Sequence, residues 1–193
     1  IENVVDGPRF MDVARKTSAI KPVIIFKAGT SEAGARAASS HTGALAGNDQ
    51  TYETVFKQSG VLRVRRMEDL FSLASVFLSQ PLPAGDRVTI VTNAGGPGII
   101  AADTVERLGL QMARFTKDTI EKMRSQLPAE ANLLNPVDVI GDAKADRYLF
   151  ALENVLADEN VDGVVILLTP QAVTEPTATA EAILEVRKKA PDK

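Results

Sequence analysis

The residue best placed by type to do chemistry is the single histidine, His41, in the run Ser39-Ser40-His41-Thr42-Gly43-Ala44-Leu45-Ala46-Gly47. Its neighbours are too small to bury it. A neutral imidazole is nucleophilic near neutral pH without surrendering a proton, so an accessible histidine can accept a phosphoryl group on one ring nitrogen. The other nitrogen then calls for a carboxylate, which fixes the tautomer and stabilises the positive charge that develops. The plain alternative is a surface-loop histidine with no role. A second candidate is Asn93-Ala94-Gly95-Gly96-Pro97-Gly98, between an apolar strand pattern and a helix pattern. Glycines there let backbone N–H groups turn toward an anion, and a helix N-terminus adds roughly half a positive charge. A tight strand-to-helix turn is the competing reading. The run is neither G-x-G-x-x-G nor a phosphate loop ending in Lys-Ser/Thr, so it supports neither a dinucleotide site nor nucleotide cleavage. Asp138, in Asn135-Pro136-Val137-Asp138, reads as a turn cap or a strand-end acid near the glycines. Glu2 reads by spacing alone as a solvated carboxylate, and Arg63, Arg65 and Arg66 read as a solvated face.

Composition narrows the classes. The 193 residues are 45% hydrophobic and 24% charged, enough for a globular core. Lys plus Arg number 22 against 25 acidic residues, a net charge of −3, and no basic run exists to neutralise a row of phosphates on nucleic acid. No stretch approaches the ~18 apolar residues of a membrane span, nor does the N-terminus read as a secretory signal. With no cysteine and one histidine, thiol catalysis, disulfides and multi-histidine metal sites are excluded. This composition fits a cytoplasmic protein.

The positioning elements alternate. A strand end is expected at residues 1–4, a helix over 10–18, an apolar strand over 23–26, and a long polar loop over 29–47. A helix over 49–59, a strand over 61–64 and a helix over 67–80 follow, the last with Leu70, Leu73, Ala74 and Phe77 on one face. Residues 81–86, Pro-Leu-Pro-Ala-Gly-Asp, form the clearest linker. The pattern restarts with a strand over 87–92, a glycine loop over 93–98, a helix over 99–108, a strand over 110–113 and a helix over 117–126. A loop over 128–136, a helix over 145–158, a strand over 164–168 and a helix over 175–189 complete it. Strands alternating with helices predict an α/β protein of two flavodoxin-like parallel-sheet units with helices on both faces. The first unit is expected over 1–82, incomplete, and the second over 87–193.

The Ser-Ser-His-Thr-Gly-Ala-Leu-Ala-Gly run, after Lys-Pro-Val-Ile-Ile-Phe-Lys-Ala-Gly, resembles the active-site segment of the NDP-forming acyl-CoA synthetases. Thr-Asn-Ala-Gly-Gly-Pro-Gly-Ile-Ile-Ala-Ala-Asp and Asn-Pro-Val-Asp-Val-Ile-Gly are similar to the flavodoxin-like domain that follows in that superfamily. The resemblance covers essentially the whole chain. It implies an acid–thiol ligase that interconverts acid, CoA and ATP with acyl-CoA, ADP and phosphate through a phosphohistidine. It places the phosphohistidine at His41 and its carboxylate partner at Glu2. It also implies that Asn93, Gly95, Gly96 and Gly98 form one of two helix N-termini that hold the phosphoryl group.

CoA, ATP or ADP and Mg2+ are the cofactors so implied, and acetate or another short-chain acid the substrate. CoA-binding and ATP-grasp domains or subunits are the expected partners, in an oligomer of like or unlike chains. The Rossmann domain, the turn giving the other helix N-terminus, and the ATP-grasp domain find no counterpart in these residues. The chain is therefore expected to be a fragment, inactive alone, holding at most phosphate, with its apolar sheet edge covered by other segments or copies. Two competing readings stand beside this one. One is an acyl-CoA-sensing region fused to a protein acetyltransferase. The other is an anion-binding α/β domain without catalysis.

Overall fold

The computed structural model describes residues 1–42 and 48–190. The chain divides into two compact units, Ile1–Gln80 and Pro81–Lys193.

In the first unit, α1 (Gly7–Ser18) starts where the Asp6 carboxylate accepts the Arg9 N–H at 2.9 Å, with a proline in the first turn, where its missing N–H costs nothing. Strand β1 (Ile24–Phe26) leads into α2 (Glu32–Thr42) and α3 (Asp49–Gln58), whose start is capped by the Asn48 side chain on Gln50 N–H at 2.8 Å. Strand β2 (Leu62–Val64) and α4 (Met67–Ser79) complete the unit. The strands run parallel, with Ile25 opposite Arg63. Ile25 packs with Ala14 of α1 and with Tyr52 and Phe56 of α3, and the Phe10 and Phe56 rings meet edge-to-face at 5.9 Å. The residues of α4 expected on one face, Leu70, Leu73, Ala74 and Phe77, are half-buried, as is Asp69 beside them.

Two expectations for this unit need correction. Residues 1–4 form no regular strand, although Ile1 O accepts the Ala28 N–H at 2.9 Å and so lies beside the end of β1. The stretch expected as a loop over 29–47 contains α2, while residues 43–47 lie outside those described. Large apolar side chains are not what α2 uses. Alanine is the strongest helix former, Ser31 Oγ accepts the Gly34 N–H at 3.1 Å, and Glu32 pairs with Arg36 one turn on. Small residues also let the helix come close to the chain leaving β1. Gly29 has φ +71°, and a Cβ there would stand 3.2 Å from the Ala38 methyl.

The second unit contains β3 (Arg87–Thr92), α5 (Gly95–Arg107), β4 (Gln111–Met112), α6 (Lys117–Arg124), β5 (Val137–Asp138), α7 (Ala145–Ala157), β6 (Gly163–Leu167) and α8 (Pro176–Lys189). All strand pairs are parallel, and β3 is central: β6 pairs with it from Val88 to Thr92, while β4 and β5 share its other edge. That shared edge leaves a gap opposite Ile90, which the Asn135 amide fills. Its Oδ1 accepts the Ile90 N–H at 3.0 Å, and its Nδ2 donates to Val88 O at 2.8 Å and Ala113 O at 3.1 Å. One side chain thus takes the place of a missing ladder bond. Val91 points into a core with Met123, Val137, Tyr148, Leu152, Val155 and Val186 from α6, β5, α7 and α8. Its neighbour Thr92 points to the opposite face, where its methyl meets α5 at Gly98. This unit therefore carries helices on both faces of its sheet.

Candidate functional site

His41 lies in the last turn of α2, with its side chain 75% exposed. Its Nδ1 is 3.0 Å from a carboxylate oxygen of Glu2, 39 residues earlier in the chain. A carboxylate only accepts hydrogen bonds, so this contact assigns the proton to Nδ1 and leaves the Nε2 lone pair free. The hydrogen bond that Nδ1–H donates to Glu2, and then the carboxylate's charge, raise the His41 pKa above the ordinary 6.5.

Glu2 is held in place from two directions. Ile1 O is tied to the end of β1 by Ala28 N–H, and the Tyr52 hydroxyl donates to Asn3 Oδ1 at 2.6 Å. Behind this segment is Lys27, 6% exposed, which sequence reasoning passed over. Its ammonium donates to Ala28 O and stands 4.7 Å from the Tyr52 ring centroid. Burial depresses its pKa, opposed by the charges of Asp49 and Glu2, with Arg63 adding to the depression. A lysine at the end of an apolar run was the available signal, because few such positions are solvated at the carboxyl end of a covered parallel strand.

Arg63 departs from the solvated face expected of it. Its side chain is 5% exposed and paired with Asp49 and Glu53 of α3, Glu53 at 2.7 Å, while Arg65 and Arg66 remain exposed. Opposite Ile25 in register, residue 63 is a covered position, and the two acids of α3 make a buried guanidinium tolerable there.

In the second unit the glycine run belongs largely to a helix, since α5 begins at Gly95 and not at residue 99. Proline is tolerated within a first helical turn, so the sequence Gly-Gly-Pro-Gly did not mark a loop. Ala94 precedes α5 without any side-chain cap, and no acidic residue stands in its first turn. The Gly95 and Gly96 amides are therefore the donors this terminus offers to an anion. A Cβ at Gly96 would meet nothing within 4 Å.

Asn93 and Gly98 act differently. The Asn93 side chain, 2% exposed, donates to Thr169 O at 3.0 Å and accepts Thr169 N–H at 2.8 Å, so it ties the end of β3 to the chain leaving β6. Gly98 N–H donates to Ala94 O inside the helix, and a Cβ there would stand 3.0 Å from the Thr92 methyl. Gly98 permits close packing of α5 on β3. Asp138 fits both of its readings: Oδ1 accepts Ile140 N–H at 2.9 Å, and Oδ2 lies 3.5 Å from where a Cβ on Gly95 would be. Among the described residues no helix is long and apolar enough to cross a membrane, and no cluster of three or more His, Cys, Asp and Glu is arranged to hold a metal ion.

Comparison with known proteins gives two consecutive family matches. Residues 1–77 match the succinyl-CoA ligase like flavodoxin domain, and residues 88–193 match the ligase-CoA domain. The chain is 47% identical over 190 residues to acetate–CoA ligase [ADP-forming] II subunit alpha of Pyrococcus furiosus, covering 97% of this chain and 41% of that one. It is 40% identical over 191 residues to 4-hydroxybutyrate–CoA ligase [ADP-forming] of Nitrosopumilus maritimus, covering 98% of this chain and 27% of the relative. Among solved structures, dinucleotide forming acetyl-coenzyme A synthetase 1 of Ca. Korarchaeum cryptofilum, in complex with phosphate and ADP, superposes with TM-score 0.90 at 36% identity. That match covers 100% of this chain and 42% of that one. The chain thus spans less than half the length of these relatives. With these matches following one another along its two units, the chain belongs to the ligase-CoA domain family, within the NDP-forming acyl-CoA synthetases.

Proposed function

We propose that this chain is the phosphohistidine-bearing part of an ADP-forming acyl-CoA synthetase acting on acetate or a related short-chain acid. The observation that carries the reading is the Nδ1–Glu2 contact on an exposed imidazole. It leaves Nε2 as a nucleophile needing no base. In the phosphorylating step, Nε2 forms a bond to phosphorus while the phosphorus–oxygen bond to the leaving carboxylate or ADP breaks. No proton leaves the ring. The imidazole becomes cationic, and Glu2 stabilises that charge through Nδ1–H. Transfer onward to the other acceptor restores the neutral ring.

In the second unit, the Gly95 and Gly96 amides suit a phosphoryl oxygen, since neither has a side-chain cap competing for it. ATP or ADP supplies or accepts the phosphoryl group, CoA takes the acyl group, and Mg2+ neutralises nucleotide phosphates. On the family resemblance, an ATP-grasp domain or subunit would hold Mg2+ and nucleotide, and a CoA-binding one would hold CoA.

The test is ADP formation from ATP by the full-length protein in the presence of acetate and CoA. His41→Asn is expected to abolish it, and Glu2→Gln to slow it by about 10–100-fold, the usual weight of a carboxylate that orients a functional histidine. Undiminished turnover in His41→Asn would overturn the assignment.

A further inference from the structure

The imidazole and its carboxylate come from segments with no regular structure in common, so something must hold Glu2 where α2 presents His41. We infer that Tyr52 is a positioning residue for the His41–Glu2 pair, its hydroxyl fixing the segment that carries the carboxylate. The catalytic consequence rests on the phosphohistidine reading above; the geometry does not.

The two ends of the Tyr52 side chain have separate tasks. Its ring is part of the core, 5.8 Å from Phe56 and under the Lys27 ammonium. Phenylalanine would fill that place equally well. The hydroxyl is the part the core does not need, and it donates to Asn3 Oδ1 at 2.6 Å while accepting Val4 N–H at 3.3 Å. Val4 N–H also lies 2.9 Å from Asn3 Oδ1, so hydroxyl, side-chain amide and main chain close a small ring of bonds immediately after Glu2. Immediately before Glu2, Ala28 N–H holds Ile1 O at 2.9 Å. Glu2 is thereby bracketed on both sides, once by the main chain that follows β1 and once by a rigid aromatic on α3. An exposed carboxylate loses most of its interaction with a partner when free to swing into water, so this bracketing sets how long it stays on Nδ1.

The charged groups around this segment are Glu2 itself, Lys27 after β1, Asp49 on α3 and Arg63 on β2. Tyr52→Phe and Asn3→Ala alter none of them. They change only how firmly Glu2 is held.

His41 is the only imidazole in these 193 residues, and in the full-length protein its ring proton signals are identified as those lost in His41→Asn, so its titration can be followed from their chemical shifts. Glu2→Gln is expected to bring the His41 midpoint down to about its ordinary 6.5. Tyr52→Phe should bring it part of the way, and Asn3→Ala, which leaves the core ring untouched, should do the same. Tyr52→Phe added to Glu2→Gln should move it no further, because the hydroxyl acts through the carboxylate. In the full-length enzyme Tyr52→Phe should lower kcat more than the KM for ATP. An unchanged midpoint in both Tyr52→Phe and Asn3→Ala, or a further fall in the double variant, overturns the inference. The titration involves no phosphoryl transfer, so its failure is distinct from a failure of His41 to become phosphorylated.

Discussion

Replacing Asn135 by alanine removes the amide that stands in for a ladder bond between β4 and β5. Ile90 is 0% exposed, and its N–H loses its acceptor; Val88 O and Ala113 O each lose one donor. An unsatisfied buried backbone group costs about 1–3 kcal/mol. Val88 O keeps the Ala113 N–H as a donor at 2.9 Å, and Ala113 O lies at the end of short β4, where the loss is cheapest, so counting the Ile90 N–H alone gives about 1–3 kcal/mol. For a unit of this size, each kcal/mol is about 4–8 °C in melting temperature. The Asn135→Ala protein should therefore melt roughly 4–24 °C lower by calorimetry, with a matching fall in the urea midpoint at unchanged slope. Asn135→Asp should be no better, since a carboxylate restores only the bond to Ile90 N–H and sets its charge against two carbonyl oxygens. The effect should also reach the glycine turn, because the same strand β3 ends there. A loss under about 1 kcal/mol in Asn135→Ala would refute the reasoning, showing that water replaces the amide at no cost.

Three further outcomes are expected. Gly98→Ala places a methyl 3.0 Å from that of Thr92 and should destabilise the second unit by about 1–3 kcal/mol, measured by urea unfolding, while Gly96→Ala, which meets nothing, should cost far less. The Arg63 guanidinium, through its hydrogen bond, holds the Asp49 carboxyl below its ordinary 3.8. That pair therefore stabilises the fold above about pH 3.8 and ceases to do so as pH falls through the lower folded value, so Asp49→Asn should weaken the acid dependence of unfolding. The raised His41 pKa works in the other direction. Its contribution is complete below 6.5 and is lost as pH rises through the folded value, and Glu2→Gln should remove this alkaline-side slope while moving the acid limb of the pH–rate profile downward.

Much of the fold was legible because its signals are local. Strand β3 coincides with the expected residues 87–92, and α4, α6 and α7 begin where their patterns begin, at Met67, Lys117 and Ala145. The apolar runs and the proline-rich linker need no tertiary information to be read. What escaped was set by packing. Helix α2 shows no apolar stripe because it approaches the chain at Gly29 through alanine and glycine. Helix α5 starts four residues early because its glycines and proline lie in a helical first turn. Arg63 looks solvated until the strand register places it under the two acids of α3.

The candidate site divides in the same way. His41 stood out as the lone imidazole in a run of small residues, and the pairing with Glu2 came from a family resemblance, since 39 residues of sequence separation carry no contact signal. The roles of Tyr52 and Lys27 were invisible, because a tyrosine on a helix and a lysine after a strand are ordinary until their partners are seen. Asn93 misled for a related reason: its position beside the glycines suited a ligand, but Thr169 occupies both ends of its amide.

The most direct test is to give the full-length protein γ-labelled ATP and Mg2+, digest it under alkaline conditions, and locate the phosphate by mass spectrometry. The account predicts an acid-labile, alkali-stable phosphate on the His41 imidazole, attached at Nε2 and absent from His41→Asn. Label on another residue, or label that persists in His41→Asn, would contradict it.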